Sequence, residues 1–339
     1  MNRNEFDALV VGAGVAGCAT AIELLSIGWR VGILCPRDGV DVSGMESLPP
    51  EVSRSLAALS IRVGSEFSDV VAWWGSARES RAIQPGGRIV ERSALAGVLR
   101  ALAVQGGAIV IESIGHFSTE RIHNGGGFGV ELISGGDRRL TARYLVDATG
   151  RSSVIGRRLG SVRVNFDDLF CVSVSIEEPN QLGTWTESTP HGWWNLCCTQ
   201  ERGTLSFFSV AKTIRQTKKD INAGIHDTHN LRHLLPAPRL GKIKIRRCGS
   251  SCMIPCAGPG WISVGDAVST VQPLASAGVS KALRDAKFVR RALEHDSAKY
   301  DRFQRGQFKS YLHELAQQYA LERRWPQTQF WANQPNVKN

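Results

Sequence analysis

With 339 residues, 42% of them hydrophobic, the chain is long enough to bury a large core, organised as two intertwined domains. It has no apolar run of about 18 residues or more, and Glu5 and Asp7 stand where a signal peptide would be basic. The expectation is a soluble cytoplasmic protein without a membrane partner, its eight cysteines held as thiols. The formal net charge of +10 arises from 41 basic residues scattered among 31 acidic ones, a distribution that argues against a nucleic-acid-binding tract.

The first predicted element is a short apolar strand, Asp7 to Val11, followed by Gly12-x-Gly14-x-x-Gly17 and an alanine-rich helix over Val15 to Leu25. Gly12 permits the tight turn, Gly14 lets a pyrophosphate approach the backbone, and Gly17 lets helix and strand pack closely. Val15 and Ala16 form the helix N-terminus that would face the phosphates. The second strand, Arg30 to Leu34, ends in Cys35-Pro36, where the dinucleotide fingerprint places an Asp or Glu for the ribose hydroxyls. Either Asp38 or a backbone group substitutes, or the adenosine end is held loosely. Glu46 and Ser47 then fall in a loop ahead of Pro49-Pro50, as site residues or as a plain turn.

Trp73 and Trp74, and later Trp193 and Trp194, are neighbours on predicted strands, whose successive side chains point to opposite faces. One of each pair is expected in the core; Trp74, Trp193 and Trp194 are the candidates for lining a substrate pocket or meeting a partner, with ordinary packing as the competing reading. Ser93 is placed to cap a helix with apolar Leu95, Val98, Leu99 and Leu102 that ends before Gly106-Gly107, and Arg92 at its start is a candidate ligand or a plain surface residue. Ala108 to Glu112 reads as a strand. Phe128 to Ile133 and Arg139 to Leu145 flank a Ser134-Gly135-Gly136-Asp137 turn, a hairpin that delivers the chain to Asp147-Ala148-Thr149-Gly150.

His226, His229 and His233 are spaced to share one helical face, and Cys248, Cys252 and Cys256 to share one side of a strand. Neither set completes a ligand pattern, and no metal site is expected. In Arg239 to Arg247, Lys242, Lys244 and Arg246 alternate with Ile243 and Ile245, a strand with one basic and one apolar face. It reads as a solvated surface strand, or as a docking face for an acidic partner. Gly260 to Ala267 is a strand ending in Gly265-Asp266, whose carboxylate would accept hydrogen bonds from sugar-alcohol hydroxyls. Pro273 and Ser276 lead into a helix at Ala277-Gly278-Val279-Ser280 whose N-terminus would face an electron-rich ring. A last helix, Tyr300 to Arg324, carries Phe308, Leu312, Leu315 and Tyr319 in one stripe and is stopped by Pro326; Trp325, Phe330 and Trp331 beyond it are a closing staple or an exposed docking surface.

Three of these segments, each more than a hundred residues from the next, form a set: the glycine turn at Gly12, Asp147 to Gly150, and Gly265 to Ala267. In this order they resemble the flavoprotein monooxygenases of the aromatic-hydroxylase type, together with the flavin-dependent tryptophan halogenases of the same fold. The resemblance implies an α/β fold in which a Rossmann-like FAD-binding domain (1–70, 88–160 and 257–298) is interrupted by a mostly antiparallel β-sheet substrate domain (71–87 and 161–256). A C-terminal helical tail (299–339) follows. Implied cofactor contacts are Gly12, Gly14, Val15, Ala16, Gly17, Arg92, Asp147, Gly150, Gly265, Asp266, Ala277, Gly278 and Val279, with Glu46, Ser47, Pro273 and Ser276 near the flavin.

Finer features are similar to the maturation flavoproteins of tryptophylquinone amine oxidases, those serving lysine ε-oxidase, glycine oxidase and quinohemoprotein amine dehydrogenase. They are Glu46-Ser47-Leu48-Pro49-Pro50, Trp74-Gly75-Ser76, Glu91-Arg92, Gly192-Trp193-Trp194, the run Pro273 to Leu283, and Glu322 to Pro326 with Phe330-Trp331. Gln272 and Ala277 depart from the Asp-Pro and Ser-Gln of that pattern, and Asn195 to Cys198 from its continuation after Gly-Trp-Trp. The resemblance implies FAD, with NAD(P)H as a transient reductant or a separate flavin reductase, and hydroxylation through a C4a-hydroperoxyflavin of a tryptophan in a partner polypeptide. A monooxygenase of a free small aromatic metabolite and a binding module with a vestigial flavin are the alternatives. Flavin halogenases depend on a lysine in the N-terminal half and a Trp-x-Trp-x-Ile-Pro segment. This chain has no lysine before Lys212 and lacks that segment, which argues against halogenation.

Overall fold

The computed structural model describes residues 4–36, 44–76, 78–113, 117–122, 127–132, 138–235 and 238–334. Asp38 and the turn expected over Ser134 to Asp137 lie outside the described residues. The chain runs β1 (Glu5–Val11), α1 (Val15–Leu25), β2 (Val31–Pro36), β3 (Met45–Leu48), α2 (Pro50–Ala57), β4 (Ser65–Trp73), β5 (Ser80–Glu91), α3 (Arg92–Gln105) and β6 (Ile109–Ser113). It continues through β7 (Phe117–Ile122), β8 (Gly127–Leu132), β9 (Arg138–Asp147), α4 (Val154–Arg158), β10 (Val162–Asn165), β11 (Phe170–Glu177), β12 (Gly183–Thr189), β13 (Gly192–Cys198) and β14 (Arg202–Ser209). Helices α5 (Ala211–Lys219), α6 (Ile221–His226) and α7 (Leu231–Leu234) precede β15 (Arg239–Arg247), β16 (Ser251–Ile254), β17 (Ala257–Gly258), β18 (Trp261–Ser263) and β19 (Ser269–Thr270). Helices α8 (Gly278–Glu294), α9 (Ser297–Ala320) and α10 (Gln329–Ala332) close the chain, and no described helix is long and apolar enough to cross a membrane.

Strands β18, β9, β1, β2 and β6 lie side by side in parallel, with β17 antiparallel at one edge and the β7–β8 hairpin hung on β9. A parallel sheet is covered on both faces, and its strands are therefore apolar on both. Ala8, Val10, Ile33 and Val146 pack with Leu24 of α1 and Val289 of α8 on one side; Leu9, Val11, Leu34 and Leu145 pack with Ile155 and Phe128 on the other. A second sheet has the order β15, β11, β14, β13, β12, β4, β5, β3 and is antiparallel except where β12 meets β4. Strands β10, β16 and β19 form a small third sheet.

The second sheet takes in more of the chain than expected. Strand β4 pairs with β5 from Ser65 to Ala72, and β5 pairs with β3, so 45–48, 65–73 and 80–91 belong to this sheet and the boundary at residue 71 falls inside a strand. Ser93 does not cap α3: its hydroxyl donates to the Glu91 carboxylate at 2.8 Å, and the helix begins at Arg92 with Glu91 in the cap position. The three histidines do not share a helix either. Buried Glu187 accepts hydrogen bonds from the N–H groups of His229 (2.6 Å), Asn230 (3.0 Å) and Leu231 (2.8 Å), which holds the chain in a break between α6 and α7. Cys248, Cys252 and Cys256 are buried, and no group of three side chains able to hold a metal ion occurs among the described residues. On β15 the isoleucine face stays open, Ile243 at 39% and Ile245 at 40% exposure, because β15 is an edge strand bordered only by β11.

Helices cover both faces of the second sheet, so the expectation of one core tryptophan per pair fails at Trp193 and Trp194 and holds at Trp73 and Trp74. Trp194 packs beneath α5 to α7 with Leu196, Ile214 and Ile225; Trp193, on the opposite face, stacks on Phe208 at 3.8 Å beneath α9 and α10. Trp73 is buried and Trp74 half-buried. Phe308, Leu315 and Tyr319 of the α9 stripe are buried while Leu312 is half-buried. The aromatics after α9 are a staple rather than an exposed surface: Phe330 and Trp331 are buried against Tyr319, and Trp331 donates to the Thr189 carbonyl at 2.8 Å.

Glu322 fastens this staple. Its carboxylate accepts from the Gly75 N–H at 2.9 Å, Ser188 Oγ at 2.6 Å and Arg324 Nη2 at 2.6 Å. Burial opposes its ionisation, but the bonds from Arg324, Ser188 and Gly75 outweigh burial and hold its pKa at about 2. A depressed carboxyl stabilises the fold above its ordinary value of 4.5 and loses that contribution as pH falls toward about 2. Glu322→Gln should therefore lower stability at neutral pH by about 1–3 kcal/mol. Urea titrations should show the gap to wild type narrowing through that acid window; a constant gap would refute the clamp.

Candidate functional site

The glycine turn joins β1 to α1 by backbone contact alone. Gly12 has φ +116°, and a Cβ there would lie 2.2 Å from the Ala148 carbonyl oxygen; a Cβ at Gly17 would lie 1.9 Å from the Gly12 oxygen. At Gly14 a Cβ would meet nothing within 4 Å, so this side of the turn is open. No side chain caps α1, which leaves its first-turn N–H groups, at Val15 and Ala16, available to an anion.

Asp147 is placed differently from expectation. Its carboxylate is fully buried and accepts from the Thr149 N–H at 3.0 Å, Thr149 Oγ1 at 2.6 Å and the Gly156 N–H at 2.8 Å. Burial raises its pKa, with those bonds opposing. Asp147 thus shapes the segment that leans on the glycine turn and presents no carboxylate to a ligand. Gly150, at φ +64° with nothing within 4 Å of its Cβ position, does face open space.

Gly265 brings the third segment to the same place, since a Cβ there would lie 2.6 Å from Ala16 Cβ. A buried ion pair that sequence reasoning missed holds it. Lys281 Nζ donates to the Gly265 oxygen at 2.6 Å and to Asp285 Oδ2 at 2.9 Å, and Asp285 Oδ2 accepts the Gly265 N–H at 3.0 Å. The signal was the Lys281 and Asp285 spacing of four residues along one helix. Asp266 is exposed, while its carbonyl accepts from Arg163 at 2.8 Å. Arg163 also donates to Ser251 Oγ at 2.7 Å and to Ser153 Oγ; burial first, then Arg151, lowers its pKa to about 10.

Beside Asp266 the remaining candidates gather. Arg92 Nε donates to Glu46 Oε2 at 2.6 Å, and Arg92 stays charged, its pKa raised chiefly by Glu46 and further by Asp266. Ser47 Oγ and Ser276 Oγ are 3.3 Å apart, and a Cβ at Gly278 would lie 3.7 Å from Glu46 Oε1. Half-buried Pro273 opens the turn that ends at Ser276, and Ala277 begins α8 without a side-chain cap. Val279 points into the core behind the site, so only its backbone is available.

Facing this cluster is a row of small polar side chains on the second sheet. Ser173, Ser206, Asn195 and Thr186 are cross-strand partners in succession across four strands, flanked by Lys244 at one end and Ala72 at the other, and all are half-buried. Two residues along the same face, Thr204 Oγ1 accepts the Met45 N–H at 2.9 Å, and Cys197 lies beside Glu46 and Arg92. On the other side of the row the Trp193 and Phe208 stack closes the face. The row was readable as small polar residues alternating at Ser173 and Ser175 and at Thr184 and Thr186. The nominated tryptophans frame it instead of lining it: Trp193 is its buried aromatic border, Trp194 lies on the far face, and Trp74 donates to the Gln318 carbonyl at 2.8 Å.

Glycine turn, exposed aspartate, uncapped α8 and facing sheet together have the fold of the FAD-dependent hydroxylases and halogenases. The myxobacterial chondrochloren halogenase CndH superposes with a TM-score of 0.82 at 19% identity, covering 99% of this chain and 87% of its own. QhpG, a peptidyl tryptophan dihydroxylase essential for tryptophylquinone cofactor biogenesis, superposes with a TM-score of 0.77 at 20% identity over 99% of this chain and 80% of its own. In sequence the chain is 26% identical to LodB of Marinomonas mediterranea, named as an FAD-dependent oxidoreductase, over 356 aligned positions and 96% of both chains. No protein-family model matches it.

Gly17→Ala puts a methyl group 1.9 Å from the Gly12 oxygen and must displace the turn. FAD binding should weaken by about tenfold or more, the equivalent of one lost charge-assisted hydrogen bond. Equilibrium titration of the apoprotein checks this; wild-type affinity would show that the close approach is not needed.

Proposed function

We propose that this protein is an FAD-dependent monooxygenase that hydroxylates a tryptophan side chain within a partner polypeptide, a step in maturing a quinone cofactor. The observation that carries the reading is the meeting of three distant glycine segments, Asp266 and the Arg92–Glu46 pair opposite a polar row four strands long. The similarity to LodB along almost the whole chain, and the fold shared with QhpG, support it. In this reading the parallel sheet is the FAD-binding half, and the antiparallel sheet covers the substrate side.

The residues fit FAD. The open side of Gly14 and the uncapped N-terminus of α1 suit the pyrophosphate. Exposed Asp266 suits ribityl hydroxyls, and the N-terminus of α8 suits the electron-rich edge of the ring. Bound there, FAD supplies oxygen-inserting chemistry, with O2 as co-substrate and NAD(P)H or a separate reductase as electron source. Arg92, oriented by Glu46, keeps a positive charge beside the cofactor. The row from Ser173 to Thr186 offers hydroxyl and amide groups to an extended polypeptide, and the Trp193 block excludes water from one side. No lysine precedes Lys212, which favours hydroxylation over lysine-directed halogenation.

The test is to incubate the flavin-loaded protein, reductant and O2 with an unmodified tryptophan-containing polypeptide. Mass spectrometry should show gains of one oxygen atom at a time on tryptophan. Arg92→Ala, which leaves Glu46 unpaired, should slow this by about tenfold or more. Turnover of free indoles with the polypeptide untouched would sink the polypeptide reading; a protein that binds no FAD would sink the whole.

A further inference from the structure

The FAD-binding half departs from its fingerprint at the end of β2, where Cys35 stands in place of an acid. Burial raises the pKa of this thiol, so it stays neutral and cannot replace a carboxylate acceptor. Strand β6 pairs in parallel with β2 and sets Glu112 opposite Cys35, so the two side chains leave the same face of the sheet one strand apart, about 4.8 Å. That is the face covered by α1 and α3: Ile33, two residues before Cys35, packs there with Ala21, Leu24 and Ala103.

From α3, Arg100 Nη2 lies 3.3 Å from Glu112 Oε1. Arg100 also acts electrostatically on Cys35 and on Cys18, whose Sγ donates to the Ala13 carbonyl within the glycine turn. The pair therefore stands beside the end of β2, where the adenosine of a dinucleotide lies, on the side away from the phosphate-binding turn. It is accessible, with side chains 38% and 47% exposed, and no bond to Glu112 Oε2 occurs among the described residues. An ion pair this exposed adds little to folding.

Resting on the FAD reading, we infer that Glu112, oriented by Arg100, accepts the hydroxyls of the adenosine ribose in place of the acid missing at Cys35. The carboxylate has moved one strand over, from the end of β2 to the end of β6, and still points into the same space.

The test is equilibrium titration of the apoprotein, followed by flavin fluorescence, with FAD and with an FAD analogue whose adenosine ribose lacks both hydroxyls. Wild type should bind the analogue about ten- to hundredfold more weakly than FAD. Glu112→Gln should lose about the same factor for FAD and nothing further for the analogue. Equal wild-type affinity for the two flavins would overturn the assignment, as would Glu112→Gln binding FAD like wild type. Loss of both flavins in equal measure would overturn it too, by showing that Glu112 acts on the sheet and not on the ribose. Failure of wild type to bind either flavin would instead overturn the FAD reading itself, a separate result.

Discussion

The site depends on three stretches of backbone that lie too close together for any side chain to stand between them. A Cβ at Gly12 would strike Ala148, one at Gly17 would strike Gly12, and one at Gly265 would strike Ala16. Glycine is costly in a folded chain because it loses more conformational freedom than other residues. Each contact therefore needs fixing from behind. Asp147 fixes the second segment through Thr149 and Gly156, and the Lys281–Asp285 pair fixes the third through both the N–H and the carbonyl of Gly265. Removing one partner of such a buried pair costs about 3–5 kcal/mol, so it holds geometry far better than it raises stability.

The facing sheet solves a different problem, since a half-buried polar row must not collapse onto the core. Helices α5 to α7 bury its outer face, and α9, α10 and the tail bury one end of its inner face. The row between keeps small side chains that satisfy one another: Asn195 Nδ2 donates to Thr184 Oγ1 at 3.2 Å, the Trp185 carbonyl at 3.3 Å and Thr186 Oγ1 at 3.1 Å. A row with its own hydrogen bonds does not pay the full desolvation cost of unpaired polar groups. It stays open, polar and ordered opposite Arg92.

What was legible in the sequence was local. The strand, turn and helix at Gly12, the β8–β9 hairpin and the start of α8 at Gly278 each announce themselves within a dozen residues. What was not legible is set by distant partners. Asp147 turns inward because Gly156, beyond a bend, offers it an N–H. Trp193 and Trp194 are both buried because α9 and α10, more than a hundred residues later, cover the face left open by α5 to α7. The polar row emerges only when the antiparallel pairing of β11, β14, β13 and β12 aligns Ser173, Ser206, Asn195 and Thr186. The histidine spacing misled because Glu187, on another strand, breaks the helix it suggested.

Gln272 shows how a departure from a family pattern follows from its surroundings. It is fully buried just before the turn that carries Pro273 and Ser276. Its Nε2 donates to Asp167 Oδ2 at 3.0 Å, and its Oε1 accepts from Tyr319 Oη at 2.8 Å. An aspartate here would place two carboxylates together without water, and like charges in that setting resist ionising together. The amide can donate to Asp167 and accept from Tyr319 at once. Tyr319 in turn accepts the Trp193 N–H at 3.0 Å, so one chain of bonds joins the α9 helix, the aromatic border of the polar row and the loop that starts α8. The C-terminal helices therefore close the second sheet and also position the Ser276 turn against Ser47, which ties the polar row and the start of α8 to the same tyrosine.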